Sequence, residues 1–463
     1  MAKNSVGGNK KILLLLVDIA ILYISLWITL LIRYQETVTA YLWNQHLMPF
    51  SVVFVAWLVI FYIDELYELD INQGMVNQFV RLVRGSLISA VIATSFFYFA
   101  TNRLFTIRPQ RVLIILLGVA IVLLFVWRLL FHHFARSPKI ANSVLFIGFN
   151  ELTAELIQKI SSTPQLGFVV RGIVATNTTT IPQALQPLVI NQSFSELKHV
   201  CVEHKISTIV STINPREDKA LMSSLFECLP LRISFFDLPA FYEKITGKIP
   251  VTNIGQMWFL ENLTESTKSF YTRITRVLEV IVSIVALIII SPLLPIIALA
   301  IKFTSPGSAI FKQTRLGQNG KIFSIIKFRT MVVDAEKQGP QWATRNDQRV
   351  TSLGKFLRKV RLDEIPQFVN IIKGEMSLIG PRPERPEFIE RLQQEIPFYK
   401  ERLLVKPGAT GWAQVVGPAY GGSVEESLEK LQYDLFYIKN RSLGLDLSIY
   451  LKTIKTILTR KGR

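Results

Sequence analysis

Apolar residues run almost unbroken through 12–32, 47–63, 87–100 and 112–131. A spanning helix needs about 20 such residues, and three of the four runs come close to that length. The third is short and is expected to extend back through Val83 and Arg84, the arginine stem lying along apolar surface while its head snorkels to the interface. An even number of spans leaves both flanks on one side of a membrane. Lys3, Lys10 and Lys11 before the first run, with Arg136 and Lys139 after the fourth, place that side in the cytoplasm. Arg103, Arg108 and Arg111 in the third loop run against this assignment. It is kept because the large basic carboxy-terminal part then lies in the cytoplasm too. The polar start is followed by a run too long for a signal-peptide core, so the first span is expected to be uncleaved.

From about residue 143 to 250 the pattern changes to short β-rich runs alternating with helical ones. Strands are expected at 144–147, 169–174, 206–211 and 231–236, with a helix at 151–160. Such alternation predicts a small parallel-sheet domain with Rossmann-like βαβ units. The first β–α turn reads GFNELTAEL. A dinucleotide site wants G-x-G-x-x-G there, and only Gly148 is present. A regulatory or structural domain is the expectation, rather than an NAD site.

A fifth apolar run, 276–303, is interrupted at its middle by Ser291, Pro292 and Pro295. Proline removes a backbone donor and clashes with the preceding turn, so a helix breaks or bends there. Two readings stay open on these residues: a kinked fifth span, or a helix-break-helix hairpin entering and leaving on one face. Arg273 and Arg276 at its start and Lys302 at its end fit two ends at one headgroup surface.

Composition sharpens this picture. Half of the 463 residues are hydrophobic and the formal net charge is +18, while the mean hydropathy is +0.34. That combination points to a membrane protein beside an anionic leaflet or acting on an anionic substrate. The charge is not gathered into a basic helix or an aromatic-basic repeat, so nucleic acid is not the expected partner. Cys201 and Cys228 lack metal-ligand spacing and read as buried thiols in a reducing compartment.

The candidate chemistry lies after residue 305. Gly317 to Gly320 form a turn between two β-like runs, and Lys327 and Arg329 alternate on the second. Paired cations on one strand suit a phosphate or diphosphate. Arg382 and Arg385 sit in the proline-stiffened loop GPRPERPEF. Asp363 and Glu364 follow the basic run Arg358, Lys359 and Arg361, and precede Pro366. The pair reads either as a helix start, where acids favour the dipole, or as chemistry. A carboxylate helps hold Mg²⁺ against substrate phosphates, and a second could attack phosphorus. No histidine follows His204, which leaves the Asp-Glu pair as the obvious candidate.

The segments SPGSAIFKQTRLGQNGKIFSIIKFRTM, RVTSLGKFLRKVRLDEIPQFVNIIKGEMSLIGPRPE, LVKPGATGWAQV and YDLFYIKNRSLGLDLSIYLKTI closely resemble the bacterial polyprenyl-phosphate glycosyl-1-phosphate transferases. With the four spans and the α/β domain ending FYEKITGKIPV, the resemblance is to the long form of that family. It implies transfer of a sugar-1-phosphate from a UDP-sugar to undecaprenyl phosphate at the inner membrane, with release of UMP and Mg²⁺ as cofactor. Asp363 matches the family's nucleophile and Glu364 its partner acid at the metal and phosphates. Lys327, Arg329 and Arg382 fall in motifs near the phosphates, with Arg385 beside them. The resemblance also favours the re-entrant hairpin, its break at Ser291-Pro292, anchoring the site at the cytoplasmic membrane face. The chain departs from the usual motifs at two places: Thr275, Arg276 and Glu279 replace Lys-Arg followed by Asp, keeping the charge pairing, and TGWAQV replaces TGLWQV.

The expected architecture is therefore a membrane helical bundle (1–135), a degenerate Rossmann-like domain (143–262), a re-entrant hairpin (268–304) and a monotopic α/β catalytic domain (305–463). The bundle and the α/β domain offer surface for a homodimer. The alternatives are a non-catalytic scaffold for polysaccharide assembly and an NAD-dependent enzyme that modifies nucleotide sugars.

Overall fold

The computed structural model describes residues 6–35, 37–67, 75–100, 110–135, 141–175, 181–190, 193–263, 269–304, 306–333, 335, 339, 347–418 and 423–458. The loop and flanking charges Lys3, Arg103, Arg108, Arg136 and Lys139, used above for orientation, lie outside these. The chain divides into two units, Met1–Ile245 and Thr246–Arg463.

The first unit opens with helices α1 (Val6–Tyr34), α2 (Ala40–Ile63), α3 (Met75–Ala100) and α4 (Gln110–Ala135). Each carries a stretch of 21 to 24 residues long and apolar enough to cross a membrane. Leu22, Leu26 and Leu30 of α1 recur at one-turn spacing and are fully buried against Phe50, Trp57 and Phe61 of α2 and Leu116 of α4. The third helix does run back through Val83 and Arg84. Arg84 pairs with Asp64, its Nε lying 3.2 Å from Oδ2. A nearby acid is a better partner for a guanidinium than water at an apolar boundary.

The same unit contains β1 (Asn142–Ile147), α5 (Glu151–Ser162), β2 (Phe168–Val174), β3 (Val189–Ile190), α6 (Leu197–Glu203), β4 (Thr208–Ser211), α7 (Lys219–Glu227), β5 (Ser234–Asp237) and α8 (Leu238–Thr246). The strands form one sheet in the order β3-β2-β1-β4-β5, with every neighbour parallel. Central β1 is apolar from Val144 to Ile147 because both its faces are covered there. Val144 and Phe146 pack on one side with Leu156 and Ile160, and Leu145 and Ile147 on the other with Leu197, Val200 and Leu221. Cys201 and Cys228 are buried free thiols on this second side.

In the second unit come α9 (Gln256–Asn262), α10 (Ser269–Ile290) and α11 (Leu293–Thr304), followed by β6 (Ile310–Leu316), β7 (Ile322–Phe328), α12 (Ser352–Lys359), α13 (Gln367–Lys373) and β8 (Ser377–Ile379). The chain closes with α14 (Pro386–Glu395), β9 (Gly408–Thr410), α15 (Trp412–Val416), α16 (Val424–Asn440) and α17 (Leu443–Leu458). Helices α10 and α11 are bent by 65° at Ser291-Pro292. Pro295 falls in the first turn of α11, where a missing N–H costs nothing. Strands β6 and β7 form an antiparallel hairpin across the Gly317–Gly320 turn, and β8 pairs in parallel with β9. Ile249, Val251 and Trp258, expected at the end of the α/β domain, pack instead with Ile389, Leu392, Leu431 and Leu435.

Candidate active site

Three short segments converge on one carboxylate. The first is the end of β7, which carries Lys327. The second follows α12, where Arg361 adopts a left-handed conformation (φ 59°) and turns the chain into a 3₁₀ turn, Leu362–Glu364. Such a φ is costly for a side chain with a Cβ, so the surroundings must hold it. Pro366 (φ −60°) then leads into α13. The acids thus lie one step before the helix rather than inside it.

Asn370 of α13 fixes the spacing between this turn and β7. Its Oδ1 accepts from Ile326 N at 3.1 Å, and its Nδ2 donates to Ser324 O at 2.8 Å and Glu375 Oε2 at 2.7 Å. The side chain is fully buried and acts as one more rung of the hairpin's backbone ladder.

The third segment is the Gly380-Pro381-Arg382 turn after β8. Glycine is required by close backbone approach: a Cβ on Gly380 would lie 2.4 Å from Lys406 O, and one on Gly411 2.1 Å from Gly380 O. Beneath the turn, Arg402 donates to Arg382 O at 3.1 Å, to Asp434 Oδ2 at 2.9 Å and to Tyr399 Oη at 2.8 Å. Arg402 and Asp434 are 5% and 2% exposed. Nothing in their sequence spacing marks them, because the pair is assembled by packing 32 residues apart.

Glu364 collects three cations. Arg382 Nη2 donates to Oε1 at 3.1 Å, Arg361 Nη1 lies 3.5 Å from Oε2, and Lys327 Nζ lies 3.7 Å from Oε1. Burial alone would push the Glu364 carboxyl up, but these cations more than offset it and hold it well below the usual carboxylate range. Asp363 is pushed the other way, first by burial and then by the Glu364 charge, with Lys327, Arg358 and Arg361 offsetting part of the effect. Its Oδ1 is buried without a hydrogen-bond partner. Burial also lowers Lys327, to about 8, with Arg382 and Arg315 adding to the shift and Glu364 opposing it. The adjacent acids therefore differ in kind: Glu364 is a permanent counter-ion, and Asp363 is a destabilised carboxylate with an open lone pair.

Arg329 and Arg385 make contacts of their own. Arg329 falls just beyond β7, and its Nη1 donates to Pro306 O at 2.8 Å. Arg385 precedes α14, pairs with Glu387 at 3.4 Å and lies over the Phe388 ring. The structure brings Lys327 and Arg382 to Glu364. It adds Arg361 and Arg358, the latter held by Thr330 Oγ1 at 2.9 Å. These two were legible only as part of a basic run.

Among the described residues no group of three or more His, Cys, Asp or Glu side chains is gathered. A Mg²⁺ ion is commonly held by one or two carboxylates together with substrate phosphates. Ionised Glu364 supplies such a carboxylate.

Cations surround a buried acid pair whose two members differ in electrostatic state. Residues 270–460 match the family model for bacterial sugar transferases. Residues 63–233 match a model described as a CoA-binding domain. The chain is 41% identical over 238 residues to the UDP-N-acetylgalactosamine-undecaprenyl-phosphate N-acetylgalactosaminephosphotransferase of Aeromonas hydrophila, covering 51% of this chain and 55% of that protein. It is 46% identical over 165 residues to the UDP-glucose:undecaprenyl-phosphate glucose-1-phosphate transferase of Escherichia coli K12, covering 35% and 36%. A protein of the same description from Caulobacter vibrioides is 43% identical over 170 residues, covering 36% and 64%. The matches thus span about half of the first relative and about a third of the second.

The α/β domain does not fit a CoA or dinucleotide diphosphate at its first β–α turn. Backbone approach at Gly148 is filled by Thr212, whose Oγ1 would lie 2.0 Å from a Cβ there. The first-turn amide of Thr153 is already taken by Asn150 Oδ1 at 2.9 Å. A diphosphate needs both the space and the free N–H groups.

Proposed function

We propose that the protein transfers a sugar-1-phosphate from a UDP-sugar to undecaprenyl phosphate, releasing UMP, as the first step of assembling a polysaccharide repeat unit. The observation that carries this reading is the asymmetry of the acid pair: one carboxylate neutralised by Arg382, Arg361 and Lys327, the other buried with an unpartnered oxygen. The names of the relatives support the substrate class.

In the first step the Asp363 carboxylate attacks the β-phosphorus. The bond from that phosphorus to the oxygen bridging the two phosphates breaks, and its electron pair leaves with UMP. In the second, a phosphate oxygen of undecaprenyl phosphate attacks the same phosphorus and releases the Asp363 carboxylate. Neither step needs a proton from the protein, consistent with the absence of histidine after His204. Lys327 and Arg382 neutralise charge gathering on the phosphoryl oxygens, which is the protein's main contribution to phosphoryl transfer. Mg²⁺ held by Glu364 and the substrate phosphates would supply further charge neutralisation.

Four apolar helices long enough to span support a membrane location. We read the bent α10–α11 pair as re-entrant from the cytoplasmic face of the inner membrane, which sets the carboxylates at the depth of the lipid phosphate. Homodimerisation through the bundle or the α/β domain belongs to the same proposal. The test is intact-protein and peptide mass spectrometry after incubation with a UDP-sugar and Mg²⁺ but no lipid acceptor. A phosphosugar adduct on the peptide carrying Asp363 is expected, and an adduct on any other residue would falsify the assignment.

A further inference from the structure

Helix α10 does more than occupy apolar surroundings, because one turn of it holds two of the three segments that build the site. Arg276 Nη1 donates to Ile371 O at 2.6 Å and Nη2 to Ile372 O at 2.8 Å. These are last-turn carbonyls of α13, the helix that follows Asp363 and Glu364; Ile371 O also accepts from the C-cap Gly374 N at 2.9 Å, and the guanidinium caps the two together. A cation at a helix C-terminus also favours the dipole. Gly374 follows in the left-handed conformation (φ 85°), and a Cβ on it would lie 3.3 Å from Arg276 Nη2. The guanidinium fits into the place that glycine leaves.

Glu279, one turn further along α10, accepts from Leu378 N at 3.1 Å and from Ser377 Oγ. Both donors belong to β8, which leads directly into Gly380-Pro381-Arg382. Glu279 is 9% exposed. The sequence pairs Arg276 with Glu279; the structure sends them to different partners, one behind the carboxylates and one behind the arginine that binds Glu364.

We infer that Arg276 and Glu279 are positioning residues for the transfer, fixing the Asp363-Glu364 turn and the Arg382 turn at one separation through α10. Neither touches the reacting atoms. Arg276 acts on the carboxylates through α13, and Glu279 acts on Arg382 through β8. A fork is needed at Arg276 because two carbonyls on successive residues must be held at once, which the single ammonium of lysine does less well. Displacement of a reacting group by about 1 Å can cost 10²-fold in rate, so modest slippage of α13 is enough to be read.

The inference rests on the proposed transferase reading, and the experiment separates the two. UMP release from UDP-sugars is measured with the full chain in detergent, undecaprenyl phosphate and Mg²⁺, for wild type, Arg276→Met, Arg276→Lys and Glu279→Leu, alongside each protein's thermal midpoint. No UMP from folded wild type overturns the transferase reading itself. With active wild type, Arg276→Met is expected to lower kcat by about 30- to 100-fold with KM for the UDP-sugar within about twofold. Arg276→Lys should recover part of that loss. Glu279→Leu should raise KM as well as lower kcat, since it frees the arginine turn. Wild-type kcat in folded Arg276→Met overturns the inference. So does a loss that only tracks the folded fraction and is not eased by lysine, for that is a merely structural role.

Discussion

Two carboxylates adjacent in sequence end in different electrostatic states because the chain turns between them. Arg361, held at φ 59°, sends Glu364 toward Arg382 and Lys327 and leaves Asp363 enclosed with one oxygen unpartnered. The pH dependence of transfer follows. Asp363 must be ionised to attack, and its raised pKa places the acid limb of kcat/KM above the ordinary aspartate value of 3.8. Lys327 must be charged to neutralise phosphate oxygens; it is charged below about 8 and neutral above. The base limb of kcat/KM, which reports the free enzyme, is therefore expected near 8. The limb for kcat should lie higher, because bound phosphate favours the ammonium. Lys327→Arg should retain a cation and move the base limb beyond roughly pH 10. A profile flat from pH 7 to 10 in the wild type would remove Lys327 from this role.

Among the elements, the β8–β9 pair and its arginine turn depend on contacts that no side-chain pattern advertises. Gly411→Ala would force a Cβ within 2.1 Å of Gly380 O, and overpacking of this kind costs about 1–3 kcal/mol. The strain falls on the turn carrying Arg382, so a lower thermal midpoint and a higher KM for the UDP-sugar are expected together. Arg402→Met leaves Asp434 buried without its partner, a loss of about 3–5 kcal/mol; an unchanged thermal midpoint would show that the pair does not support the turn. Much of this level was nonetheless legible. Alternating apolar runs marked β1, β2, β4 and β5, and Pro-Ser punctuation marked the bend between α10 and α11. Two-residue β3 was missed because it is too short to carry a period. Arg329, one residue past β7, keeps the hairpin ladder through its N–H to Ala309 O at 2.8 Å, and its guanidinium reaches Pro306 O. Asn370, Arg402 and Asp434 were missed because their roles arise from contacts distant in sequence.

Over the whole molecule, an apolar amino-terminal helical set and a basic carboxy-terminal site suit chemistry between a water-soluble donor and a lipid acceptor. The α/β domain stands apart from that chemistry, its first turn closed by Thr212 and Asn150. Removal of divalent metal by a chelator is expected to abolish UMP release, and excess Mg²⁺ to restore it; release indifferent to the chelator would take Mg²⁺ out of the account. The relatives are named for UDP-glucose or UDP-N-acetylgalactosamine, and the proposed roles concern phosphate rather than sugar hydroxyls. The most direct test is therefore UMP release across a panel of UDP-sugars by the full chain in detergent, with undecaprenyl phosphate and Mg²⁺, comparing wild type with Asp363→Asn. The account predicts lipid-dependent UMP from at least one sugar, abolished by the substitution. UMP released equally by a folded Asp363→Asn protein would contradict it.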